Sequence, residues 1–262
     1  MPEPARPTGF LGLAAALLFC CGQAPAADGI RAHCRGEGPP LYLIGGGPAF
    51  TTWNLAPIQG RLADAYRVCR WDMRGVGDNA RLPVESEVPA LAQWLEDMRE
   101  ILPAEPATLW GHSWGALQAL LFARRHPERV SRLILSNPVD PALRSLEHVE
   151  QKRFVHPGNH TGLALEDMGT PEEDLHNLRS KVASYFVDAA QGWAHAAGFT
   201  QADANNRLNV RIWDDYRQSP LADADVRQLA AKIGGLIYCR DDVLQPESLA
   251  EYRRLLPGAR HH

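Results

Sequence analysis

The segment Gly111-His112-Ser113-Trp114-Gly115 sets a serine between two glycines, each two positions away. A serine hydroxyl does covalent chemistry only where it is exposed, aimed and relieved of its proton. Elsewhere at such a position it caps a helix. The neighbours favour chemistry. "ATLW" before it reads as a short buried strand, and "GALQALLFARRH" after it reads as a helix that Pro127 stops. A serine on so sharp a strand-to-helix turn projects above the sheet. Side chains at Gly111 or Gly115 would collide with the adjoining strand and helix, and the helix N-terminus favours developing negative charge. Ser113 is therefore read as a nucleophile for acyl transfer, with helix capping as the plain alternative.

No histidine in the sequence stands obviously ready to take the proton. His112 lies on the turn itself and points away from its neighbour's hydroxyl. His156 and His160 have helical spacing, but Pro157-Gly158 between them breaks the helix that would align them. No metal site is predicted, and no cofactor is needed for acyl transfer.

The elements around this turn follow from apolar runs and breakers. Strands are expected around Ile30–Cys34, at Leu41–Ile44, in "AYRVCRWD" ending near Asp72, in "VSRLILSNP" and in "KIGGLIYC". Gly45-Gly46-Gly47-Pro48 suits neither helix nor strand and must be a loop. Leu91, Trp94, Leu95, Met98 and Leu102 share one helical face. Strand and helix thus alternate, which predicts an α/β fold with a mostly parallel sheet and helices on both faces. Residues 27–140 form the first part of this core. Residues 141–228 are helical, polar and free of strong apolar strands. They read as an inserted helical cap packed over the sheet edge. Residues 229–262 return to the core.

Residues 1–26 differ from the rest. Arg6, the apolar run from Gly9 to Gly22 and Ala24-Pro25-Ala26 have the order of a secretory signal peptide. Export, to periplasm or medium, is expected, with no stable membrane association after cleavage. A lipoprotein reading at Cys21 is weaker, because Cys20 stands where a small residue is usual. Cleavage leaves Cys34, Cys69 and Cys239, an odd number in a compartment that permits disulfides. The chain of 262 residues carries a formal charge of −4 with 45% hydrophobic and 22% charged residues, an ordinary globular composition. It has no basic block, which argues against nucleic-acid binding.

Taken together, "GGGP" at 45–48, "DMRGVGDN" at 72–79, "GHSWG" at 111–115, "HPERV" at 126–130 and "CRDDVLQP" at 239–246 resemble the α/β-hydrolase superfamily, most closely its proline iminopeptidase and aminopeptidase branch. The resemblance covers about residues 30–257. It departs from the branch at Gly45 for a histidine, Asn79 for a serine and Cys239 for a glycine. It implies Ser113 as nucleophile and Asp242 as the acid that orients a base histidine, with Asp241 as fallback. It implies the backbone N–H groups of Gly47 and Trp114 as the oxyanion hole. The base histidine is expected beyond residue 262, after a last strand missing from this sequence; His261 and His262 arrive before that strand could form. Cap acids beside a tryptophan hold the substrate's amino group in that branch, so Asp214 and Asp215 could do so, or could simply lie on a solvated helix face. Asp72 and Arg74 are expected to form an internal ion pair. The superfamily's strand order sets Cys34 beside Cys69, so export makes a cross-strand disulfide possible. The expected activity is a serine hydrolase releasing N-terminal residues from small peptides. Alternatives are a carboxylesterase and a non-catalytic ligand binder of the same fold.

Overall fold

The computed structural model describes residues 29–146, 170–240 and 246–262. The apolar leader, His156 and His160 lie outside them. Six strands form one sheet in the order β1-β3-β2-β4-β5-β6. They are β1 Ala32–Arg35, β2 Pro40–Ile44, β3 Arg67–Trp71, β4 Ala107–His112, β5 Val130–Ser136 and β6 Ile233–Ile237. Only β1 runs antiparallel, against β3, and every other pair is parallel.

A parallel strand buried on both faces needs apolar residues throughout, and β2 shows why. Leu41 and Leu43 join Val68 and, from helix α1 (Ala56–Leu62), Ile58 and Leu62. Tyr42 and Ile44 point the other way, into the main core with Trp94 and Met98 of α2 (Ala90–Ile101) and Leu117 of α3 (Trp114–Arg125). The apolar stripe expected on α2 is the buried one: Leu91, Trp94, Leu95, Met98 and the following Leu102 are all under 10% exposed. Cys34 and Cys69 stand opposite each other in the β1–β3 pair and are joined as a disulfide.

No named strand follows β6 among the described residues, but the C-terminal residues bridge to it. Leu236 N–H donates to Arg260 O at 2.9 Å, and His262 N–H donates to Leu236 O at 2.8 Å. Residues 260–262 thus already lie parallel to β6, with His261 opposite Leu236.

Between β5 and β6 the described residues form helices α4 (Pro171–Ala183), α5 (Ala189–Ala196), α6 (Asn206–Gln218) and α7 (Asp223–Gln228), and no named strand. Their starts are set locally. Thr170, Asp188 and Asn205 accept from the backbone of Glu173, Gln191 and Leu208, which satisfies amides the helix leaves open. Helix α8 (Glu247–Leu255) closes the core. This helical segment packs over the ends of β2 and β4, not over the sheet edge. Ala204 bridges Phe50 just after β2, and Trp213 meets Trp114 just after β4 at 4.7 Å between ring centroids.

Candidate active site

In a parallel sheet wound in both directions, ligands bind beyond the C-terminal ends of strands, where the winding reverses. Here that point lies between β2 and β4, since β3 flanks β2 on one side and β4, β5 and β6 follow on the other. The glycine loop leaves β2 at this point, and Ser113 leaves β4. The two motifs picked out by chemistry therefore meet where topology opens a crevice.

Ser113 has φ 54° and ψ −120°, a conformation non-glycine residues seldom hold. Such strain costs about 1–3 kcal/mol and persists only where the surroundings enforce it. They do so through three backbone bonds. Ser113 N–H donates to Ser136 O at 2.9 Å, and Ser113 O accepts from Ala116 N at 3.1 Å and Val139 N at 3.3 Å. The flanking glycines leave no room for a methyl group. A Cβ on Gly111 would lie 2.3 Å from Gly115 O, and one on Gly115 would lie 2.3 Å from Ile44 O. The Ser113 side chain caps nothing. Its hydroxyl has no hydrogen-bond partner among the described residues, so the plain capping alternative fails.

The glycine loop crosses above the serine. A Cβ on Gly46 would come within 3.2 Å of Ser113 Cβ. Gly47, at φ 128°, is exposed, and Pro48 after it is buried. Trp114 opens α3, so its N–H is one of those that helix geometry leaves without an acceptor. Its indole is buried and packs edge-on against Trp213 and Tyr216 of α6.

The ionisable neighbours take other roles. His112 Nδ1 lies 3.3 Å from Ser136 Oγ, not on Ser113, and burial holds its imidazole below the ordinary pKa. Asp72 and Arg74 do not pair, which corrects the sequence expectation. Arg74 forks onto Asp97 of α2 at 2.6 and 3.1 Å. Asp72 instead accepts from Thr52 N at 2.6 Å, Thr52 Oγ1 at 2.7 Å and Asp78 N at 3.0 Å. The reason is geometric: β3 ends at Trp71, and the chain turns so that Asp72 faces the glycine loop while Arg74 faces α2. Asp215 Oδ2 accepts from Leu91 N at 3.0 Å, tying α6 to the start of α2. Asp214 pairs with Arg217 at 3.0 Å on the surface. These contacts engage both carboxylates. His261 stacks on Tyr238 at 6.2 Å, and burial lowers its pKa. Asp241 and Asp242 lie outside the described residues. Cys239 N–H, just before them, is held by Asn137 Oδ1 at 2.7 Å. Among the described residues no group of three or more histidine, cysteine or acidic side chains could hold a metal ion.

The profile of the alpha/beta hydrolase fold family matches residues 39–220, well over half of the chain. The chain belongs to the α/β-hydrolase fold family. Two curated relatives each match part of the chain. A 2-hydroxymuconate semialdehyde hydrolase from Pseudomonas sp. (strain CF600) is 40% identical over 126 residues, 44% of this chain and 42% of that protein. A proline iminopeptidase from Lactobacillus helveticus (strain DPC 4571) is 33% identical over 127 residues, 46% of this chain and 42% of the relative. The match thus spans under half the length of either curated relative. The α/β-hydrolase architecture extends further. The crystal structure of an esterase from Rhodococcus sp. ECU1013 superposes with a TM-score of 0.65 at 19% identity, covering 90% of this chain and 87% of that one.

Sequence reasoning missed Asn205 and Asn209, which bind the loops below α6. Their partners lie more than a hundred residues away in sequence, and an asparagine at or near a helix start reads simply as a cap.

Proposed function

We propose that the protein is a serine hydrolase that works through an acyl-enzyme, with Ser113 as nucleophile. The observation that carries this is the strained, uncapped Ser113, held at the reversal point of the sheet directly under a glycine loop. Its hydroxyl attacks a substrate carbonyl, and the carbonyl oxygen gains the negative charge. The Gly47 and Trp114 amides stabilise that charge as fixed dipoles, a contribution that costs about 10²–10³ in rate when one donor is lost from such a site. A histidine oriented by Asp242 takes the serine proton and returns it to the leaving group. Water then releases the acyl group by the same steps in reverse order.

For the substrate we infer a short peptide with a free N-terminal residue. The glycine-loop and elbow motifs and the likeness to the Lactobacillus iminopeptidase support this. A small ester is the second reading, favoured by a specific observation: Asp214 and Asp215, the carboxylates expected to select an ammonium group, are engaged with Arg217 and Leu91. Turnover of a prolyl arylamide against p-nitrophenyl acetate separates the two. The first reading predicts arylamide cleavage that is lost when the proline nitrogen is blocked. Ester turnover without arylamide turnover rejects it in favour of the second. No turnover of either, by a folded full-length protein that includes the base histidine, rejects the hydrolase reading in favour of a non-catalytic binder.

A further inference from the structure

An oxyanion hole works only if its donors are fixed before charge develops. The Trp114 amide meets this condition because it belongs to a helix. The Gly47 amide has no such support. It sits in a run of three glycines followed by Pro48, which has no N–H to brace the turn from within, and glycine has the greatest backbone freedom to lose. Something outside the loop must hold it.

The holding groups come from the cap. Asn209 Nδ2 donates to Pro48 O at 2.6 Å, one residue from Gly47. Asn205 N donates to Ala49 O at 3.0 Å, and Thr51 N donates to Asp203 O at 2.9 Å, so that Phe50 and Ala204 pair as a short antiparallel bridge. Trp53 Nε1 donates to Asp203 Oδ1 at 2.9 Å. Asn205 Nδ2 reaches Gly75 O at 3.2 Å and ties the same segment to the loop after β3. From the sheet side, Asp72 holds Thr52. The Gly47–Trp53 loop is therefore gripped between Asp72 beneath and Asp203–Asn209 above.

We propose that the segment Asp203–Asn209 is a clamp that sets the position of the Gly47 amide, with Asn209 as a positioning residue acting through the Pro48 carbonyl. The proposal rests on Ser113 being the nucleophile and Gly47 an oxyanion donor. It makes this part of the cap a fixed component of the catalytic loop, not a lid that swings clear of it.

The test compares Asn209→Leu, similar in size but without a donor, with Asn209→Gln, which keeps one. Asn209→Leu is expected to lower kcat for p-nitrophenyl acetate about tenfold with KM within about twofold, since small misplacements at a reacting centre cost up to about 10². Asn209→Gln is expected to recover part of the loss. Amide hydrogen exchange of the Gly45–Thr52 peptide should be faster in Asn209→Leu than in wild type, and restored in Asn209→Gln. Unchanged kcat with unchanged exchange overturns the clamp. So does a loss shared equally by both variants together with a collapse of the melting temperature. Should Asn209→Leu not fold, Asn209→Asp removes the donor within the same shape and is judged by the same readings. A wild-type chain that neither turns over the ester nor labels at Ser113 removes the proposed function instead. The exchange comparison then still decides whether Asn209 holds the loop.

Discussion

His112 stands one residue before the candidate nucleophile, part-buried beside Ser136, so its protonation state is part of the elbow's stability. Burial lowers its pKa in the folded protein, with the Ser136 hydrogen bond opposing in part. In the unfolded chain a histidine titrates near its ordinary value of about 6.5. Below that pH the unfolded state binds the proton more readily, so it gains stability relative to the fold. The contribution of neutral His112 is fully present above about pH 6.5 and is lost as pH falls through its lower folded value. Thermal midpoints measured from pH 7.5 down to pH 5, above the range of ordinary carboxylates, should fall for wild type and fall less steeply for His112→Asn. Equal slopes would remove His112 from the account. At this scale the sequence was informative wherever the constraint is local. Gly111, Ser113 and Gly115 could be read because they form one short motif between a buried apolar run and a helical one, although the backbone that crowds Gly115 belongs to Ile44 on β2. Asp72, Arg74 and Asp215 could not, because each chose a partner on another element: Thr52, Asp97 and the Leu91 amide.

Among the elements, β1 is the least integrated part of the core. It is a short edge strand, antiparallel in an otherwise parallel sheet, and half of it is exposed. The Cys34–Cys69 disulfide joins it to β3 across a sequence separation of 35. A loop of that length loses about 4 kcal/mol of unfolded-state entropy in the chain-entropy treatment, with measured effects of about 2–4 kcal/mol typical. Cys69→Ser should therefore lower the unfolding midpoint in denaturant by the equivalent of about 2–4 kcal/mol. Residues 27–262, denatured without reductant, should show one reactive thiol, that of Cys239. Three thiols would contradict the bridge. β2 and α2 were legible because β2 is an apolar run closed by the glycine loop and α2 carries an apolar stripe between two prolines. The bridge from the C-terminal residues to β6 was not. Residues 260–262 reach β6 through backbone bonds that leave no mark in side-chain pattern.

For the whole molecule, topology and chemistry converge on one place. The sheet reverses its winding between β2 and β4, the glycine loop and Ser113 emerge there, and α6 lies across both through Trp213 and Asn209. The α/β class was legible because alternating strands and helices allow few other arrangements. The placement of the cap over the strand ends was not, since polar helices say little about which surface they cover. The central claim is that this convergence makes Ser113 a nucleophile, and a fluorophosphonate probe tests it most directly. Incubation of the folded protein followed by peptide mass spectrometry should give a single adduct, on Ser113. The adduct should be absent from a Ser113→Ala variant whose melting temperature matches wild type. A folded full-length wild-type protein that carries no adduct, or carries it on another residue, would contradict the account.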